Sequence, residues 1–316
     1  MEVPPRARSE PGGIGRCWEV AAMELSLTVG FDGSEPGFRA LDWAVDEAAV
    51  HGLTLRVVHA SRWERYELSA GPLQRRAGEQ AGRDAVGAAV RRAEERNPRA
   101  VVETEVLAED PAQALVRASR TSWALVTGAR GLGGFPGLLL GSVGLEVAAR
   151  ALCPVIVVRG DASGSGAGAR RILLGVSDSP GSAEAVRFAL REAAARGCPL
   201  EGVRAWRCPA HETTPHPALA DGVCLYHQAR ADTLLDEALT APLRHCPSVH
   251  PIRTLVEGPA HRVLVDRTSG ADLVVIGAHR RPHRPGPQLG RVAQALLHHS
   301  RCPVAVVPRV EDGARG

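Results

Sequence analysis

At 316 residues, with 38 basic and 35 acidic side chains and a formal net charge of +3, the chain is long enough for about two domains. It is too nearly neutral to mark a nucleic-acid or membrane surface, and aromatics at 3% leave little material for a base-stacking platform. All 38 basic residues are arginine; there is no P-loop lysine, Schiff-base lysine or lysine general base, so any phosphate must be held by backbone N–H groups, hydroxyls or arginine.

Residues 1–22 (MEVPPRARSEPGGIGRCWEVAA) are rich in Pro, Gly and Arg without an apolar h-region. They read as a disordered leader, with Met23 as an alternative start. The short apolar run LSLTVG (25–30) reads as a buried strand. Residues 37–51 carry a helical stripe through Leu41, Ala44, Val45 and Ala48, and Gly52 is a C-terminal stop. LRVVHA (55–60) is a second strand. Residues 74–96, charged and alanine-rich, form a helix with a solvated face despite Gly78, Gly82 and Gly87. VVETEVL (101–107) alternates as a third strand, and Asp110-Pro111 supplies an N-cap and a first-turn proline for a helix over 111–120. ALVTG (124–128) is a fourth strand, a helix runs from Gly141, and CPVIVV (153–158) ends in a fifth strand.

The chain then repeats itself. FRALDWAVDEAAVHGLTLRVVHA (38–60) aligns without a gap on AEAVRFALREAAARGCPLEGVRA (183–205), with Glu47, Gly52 and Leu55 among the matches; ALVTGAR (124–130) aligns on LVVIGAH (273–279) and CPVIVV on CPVAVV (302–307). The second copy predicts elements at 171–176, 181–196, 199–205, 225–241, 249–256, 259–269, 272–277, 290–299 and 303–307. Short buried strands alternating with helices imply an α/β fold. It consists of two tandem doubly wound domains, each a five-stranded, mainly parallel sheet with helices on both faces. The boundaries expected are 23–158 and 171–309, joined by a flexible Gly/Ser/Ala linker at 159–170 (RGDASGSGAGAR) and followed by a tail at 310–316.

VTGARGLGGFPGLLLGSV (126–143) places four glycines between Gly128 and Gly134 and then Gly141-Ser142, between a strand and a helix at the carboxyl end of a parallel sheet. Ligands bind there in doubly wound folds, and a helix N-terminus attracts anions. This G-x-x-G, nine residues, G-S spacing, together with the duplication, resembles the ATP-binding branch of the universal stress protein family in its tandem form. The resemblance covers nearly all of residues 23–309. It implies that Asp32 contacts the nucleoside, that Gly30 and Ala60 line the adenine pocket, and that Gly128, Arg130, Gly131, Gly141, Ser142 and Val143 contact the phosphates of ATP, with or without Mg²⁺.

The second copy departs from the pattern. Gly277 and Gly290 remain, but Arg280 stands in place of the second glycine and Arg291 in place of the serine; Pro282, Pro285 and Pro287 remove N–H donors. Ser177 stands where the first copy has Asp32, with Asp178 one place later. The expectation is one working cradle and one degenerate one, the alternative being an anion clamp of Arg280, Arg284 and Arg291.

Other chemistries are thin. His279, His283, His298 and His299 lack a metal-ligand spacing, and His211 and His216 lie in a proline-rich stretch. There is no G-x-S-x-G, H-E-x-x-H or Walker motif, so slow ATP hydrolysis at most is expected. Cys17, Cys153, Cys198, Cys208, Cys224, Cys246 and Cys302 form no C-x-x-C pair, and their odd number points to reduced thiols in the cytoplasm. No window approaches a membrane span. The apolar fifth strand of each copy is an edge that seeks a partner: the halves are expected to pair through it, with homodimerisation as a further step. The function expected is an ATP-binding, nucleotide-dependent stress-response regulator. An ATP hydrolase or adenylyl-transferring enzyme of the same fold group, and a nucleotide-free dimeric scaffold, are the alternatives.

Overall fold

The computed structural model describes residues 25–61, 72–131, 140–159, 171–178, 181–208, 217–278 and 289–309. The leader, most of the linker, the tail, Cys17, Gly133, Gly134, His211 and His216 lie outside them, as do His279, Arg280, Pro282, His283, Arg284, Pro285 and Pro287. The first half runs β1 (Ser26–Gly30), α1 (Glu35–His51), β2 (Leu55–Ala60), α2 (Pro72–Arg96), β3 (Val102–Leu107), α3 (Pro111–Ala118), β4 (Ser122–Gly128), α4 (Ser142–Arg150) and β5 (Val155–Val158). The second runs β6 (Ile172–Gly175), α5 (Ser182–Arg196), β7 (Leu200–Trp206), α6 (Pro217–Leu243), β8 (Pro251–Glu257), α7 (Ala260–Arg267), β9 (Leu273–Gly277), α8 (Arg291–His299) and β10 (Val304–Val307).

Local chemistry sets the helix ends. Ser34 caps α1 by accepting from Gly37 N–H, and Asp110 caps α3 by accepting from Gln113 N–H. Gly52 and Gly197 end α1 and α5 in the left-handed region, at φ of 64° and 60°, where a Cβ would be strained. The structure extends α6 eight residues upstream of the predicted start at 225. It ends α3 at Ala118, where the Ser119 N–H bonds back to Leu115 O.

The ten strands form one sheet in the order β3-β2-β1-β4-β5-β10-β9-β6-β7-β8. Neighbours within each half are parallel, and β5 and β10 are antiparallel, with Ile156 opposite Ala305. Alternation along the strands feeds two cores. Leu27, Val29 and Val126 pack with Leu41, Ala44 and Ala89 under α1 and α2; Leu125, Val155 and Val157 pack with Leu115 and Val147 under α3 and α4. β5 and β10 (VIVV and VAVV) are buried throughout, as expected of strands covered on both faces.

Between α1 and α5, Glu47 and Glu192 meet His51 and Arg196. Arg196 donates Nη2–H to Glu47 Oε2 and Nε–H to Glu192 Oε2 at 3.2 Å, while its guanidinium carbon lies 5.6 Å from the centre of the Trp43 ring. Burial opposes the charge of His51, but Glu192 and Glu47 outweigh it and raise the imidazole to about 9. Burial, then the charge of Glu192, raises Glu47. Complete burial pushes Glu192 up, yet His51 and Arg196 overcome it and hold this carboxylate low.

One expectation is corrected. The cysteines are not all reduced: Cys208, just past β7, is bonded to Cys224 on α6, with a sequence separation of 16. The fold brings their Cα atoms to 5.0 Å, within disulfide reach. Cys153, Cys198 and Cys302 are free and buried.

Candidate functional site

In the first half the order β3-β2-β1-β4-β5 places β1 where the direction of winding reverses, so a crevice opens at the carboxyl ends of β1 and β4. The chain leaves β1 at Gly30 and turns through Asp32 and Gly33, the latter at φ +81°. Asp32 Oδ1 accepts from Ser34 N–H at 3.0 Å and from the Ser34 hydroxyl at 2.6 Å, and Ser34 Oγ in turn accepts from Gly37 N–H at 3.1 Å. One carboxylate oxygen thus organises the start of α1. A Cβ on Gly37 would come within 2.7 Å of Asp32 Oδ1, and one on Gly131 would strike Oδ2. The carboxylate has room because both neighbours are glycine.

The opposite wall is the glycine segment after β4. Ala129 N–H bonds Val158 O at 3.1 Å and Gly141 N–H bonds Ala129 O at 2.8 Å, so the end of β4 and the start of α4 are held together. Gly141 is the N-cap of α4 and offers no side-chain cap; the N–H groups of the first turn therefore face outward with the positive end of the helix dipole. A Cβ on Gly141 would meet nothing closer than 3.6 Å.

Between the walls lies a cavity of about 500 Å³, within the roughly 300–1,000 Å³ of small-molecule sites. Gly30, Asp32, Ala60, Gly128, Arg130, Gly131, Gly141, Ser142 and Val143 all line it. Phe31, Gly37, Val58, Pro111, Leu115, Thr127, Leu140 and Gly144 line it as well and escaped the sequence reading. A signal existed for Leu115, whose counterpart Leu264 holds the same place in the second copy. Val58 reads only as a strand residue, and Phe31 only as the residue that follows one.

The floor and the loop differ in chemistry. Leu115, Val58 and Leu140 give an apolar end, and Asp32, Arg130, Ser142 and the α4 N-terminus give a polar one. Asp32 and Arg130 are the ionisable residues of this lining among the described residues. Arg159, at the end of β5, serves elsewhere: its guanidinium donates to Leu297 O and, at 2.7 Å, to His298 O at the carboxyl end of α8. Burial and then the neighbouring Arg130 charge lower its pKa.

The second half rebuilds the same corner. Ser177 N–H donates to Ser182 Oγ at 3.2 Å, Ser182 standing where the first half has Gly37. Arg204 reaches Val176 O at 3.3 Å and Asp178 at 3.4 Å; its counterpart His59 lies with Nδ1 2.9 Å from Phe31 O. Arg291 opens α8 in place of Ser142.

The universal stress protein family matches this chain twice, over residues 26–159 and 168–308. A universal stress protein of Mycobacterium tuberculosis is 32% identical over 287 residues, covering 89% of this chain and 96% of the relative. A crystal structure of a universal stress protein from Archaeoglobus fulgidus superposes with a TM-score of 0.66 at 17% identity, covering 90% of this chain and 98% of that one. Another Archaeoglobus fulgidus member, solved in complex with dAMP, covers 43% of this chain and 98% of its own at 21% identity and a TM-score of 0.34. The fold is a tandem of two universal stress protein domains. The chain belongs to the universal stress protein family.

Proposed function

We propose that the first half binds ATP and that the protein works as a nucleotide-dependent regulator, with the second half as a scaffold. The observation that carries this is the cavity with an apolar end for a base and an uncapped helix N-terminus at its polar end. Adenine would lie against Val58, Leu115 and the backbone around Gly30 and Ala60. Asp32 Oδ2 would accept from ribose hydroxyls. Gly131, Gly141, Ser142, Val143 and Arg130 would hold the phosphates, with Gly128 supplying close main chain. The room around Gly141 and the donor set, main-chain N–H, one hydroxyl and one guanidinium, suit a polyphosphate. Mg²⁺ would ride on that polyphosphate.

Binding is favoured over turnover because Asp32 is the sole carboxylate of the lining among the described residues and already serves Ser34; hydrolysis needs a placed water activator. The same reading takes β5 and β10 as the pairing of the halves, with a homodimer as a further assembly and the cytoplasm as the compartment. Gentle purification, acid release and mass spectrometry of bound small molecules test it. About one ATP per chain is expected; two would restore the second cradle. None, with no binding on titration, would leave a nucleotide-free scaffold.

A further inference from the structure

Glu47 and Glu192 occupy one position of the repeat, and His51 and Arg196 another, each pair 145 residues apart. The seam between α1 and α5 brings them together, with Glu47 and Glu192 side chains 1% and 0% exposed and His51 13% exposed. His51 Nε2 lies 3.4 Å from Glu47 Oε1 and 3.2 Å from Glu192 Oε1, contacts in which none of these three buried atoms finds a well-aligned hydrogen bond. The far oxygens of both carboxylates are held by Arg196, which turns the near oxygens toward the imidazole. The imidazole is itself packed on Trp123, with ring centres 4.5 Å apart.

We propose that Glu47, His51 and Glu192 bind a divalent transition metal of the zinc type, closing a site contributed by both halves. Ligands about 2.0–2.1 Å from a tetrahedral ion stand roughly 3.3–3.4 Å from one another, which is the spacing found between His51 Nε2 and the two carboxylate oxygens. One nitrogen and two oxygens suit zinc, whereas magnesium and calcium demand more oxygens. Arg196 is the outer-shell group that orients the carboxylates, and water completes the tetrahedron. Arg196, which contacts both carboxylates, supplies part of the positive charge that they require, and the ion would supply more. Because α1 supplies two ligands and α5 the third, the ion ties the halves together, and its binding stabilises their docked arrangement.

The experiment uses the full chain stripped with chelator, then titrated with Zn²⁺, with Co²⁺ as a spectroscopic probe and Mg²⁺ as a control. One equivalent of zinc, a rise in Tm with Zn²⁺ but not Mg²⁺, and the visible absorption of tetrahedral cobalt are expected. His51→Gln is expected to lose all three and to weaken zinc by more than the roughly 10–100-fold that a lost outer-shell contact costs. Zinc uptake unchanged in His51→Gln, or absent from the unsubstituted chain, overturns the site. X-ray absorption at the zinc edge of the unsubstituted protein tests it even where the variant does not fold: one imidazole and oxygens are expected, and sulfur in the first shell refutes it.

Discussion

Gly128 in the first half and Gly277 in the second both lie against backbone: an added Cβ would come within 2.7 Å of Pro36 O and 2.6 Å of Gly181 O, respectively. Gly30 and Gly175 likewise face Leu115 and Leu264, at 2.7 and 2.9 Å. These glycines stand in both halves because the fold leaves no room for a side chain. Asp32, Gly37, Gly131 and Ser142 are different: their second-half counterparts are Ser177, Ser182, Arg280 and Arg291. The comparison separates two kinds of residue within one cavity lining, those whose size is also pinned by packing against backbone or core and those that serve the cavity alone. The changes in the second half fall on the second kind.

Substitutions can break that division. The largest expected effect is from Gly141→Glu, which puts a carboxylate where phosphates would lie. ATP binding measured by calorimetry should fall by at least ~100-fold, since like charges at close range cost several kcal/mol. Because a Cβ there meets nothing within 3.6 Å, the thermal midpoint should hardly move; a large drop would make Gly141 a folding residue instead. Cys224→Ser removes the bond to Cys208, found in the second half alone among the described residues. Opening a loop of this length should cost about 3 kcal/mol in urea unfolding by the chain-entropy estimate and leave ATP affinity unchanged. Gly128→Ala and Gly277→Ala should each cost about 1–3 kcal/mol, as overpacking does. Only the first should also disturb ATP, and equal losses of affinity would blur the two halves. The smallest effect concerns Cys153 and Cys302, which burial pushes up to about 12 and about 11. Both should resist alkylation at pH 8 in the folded chain and react after denaturation; mass spectrometry of the labelled peptides reads this out.

Much of the fold was legible because its determinants are local. Gly52 and Gly197 stop helices at the same place in each copy, Asp110 announces α3, and the VIVV and VAVV runs mark strands covered on both faces. The cavity wall was legible where a motif names it, from Gly128 to Val143, because turn chemistry and spacing are written in consecutive residues. Val58 and Leu115 were not, since a side chain on a strand or helix reaches the cavity only through packing that brings separate elements together. The bond between Cys208 and Cys224 was hidden for the same reason: sixteen residues apart, they follow no spacing rule and meet only when β7 and α6 are in place. Glu47 and Glu192 were visible as a repeat match, yet nothing in either stretch says that the two copies would face each other. The extra length of α6 lies upstream of its predicted start, in a stretch where the apolar period is weak.

The seam between α1 and α5 also bears on how the duplication has aged. Each copy brings a glutamate to it, but only the first brings histidine and only the second arginine. Two first halves docked in this way would set a pair of imidazoles against the two carboxylates, and two second halves a pair of guanidiniums. The mixed pair works as a lock with unlike parts, so that the copies have become complementary and are no longer interchangeable. Recombination that replaced one by the other would return a chain of the right length with a mismatched centre.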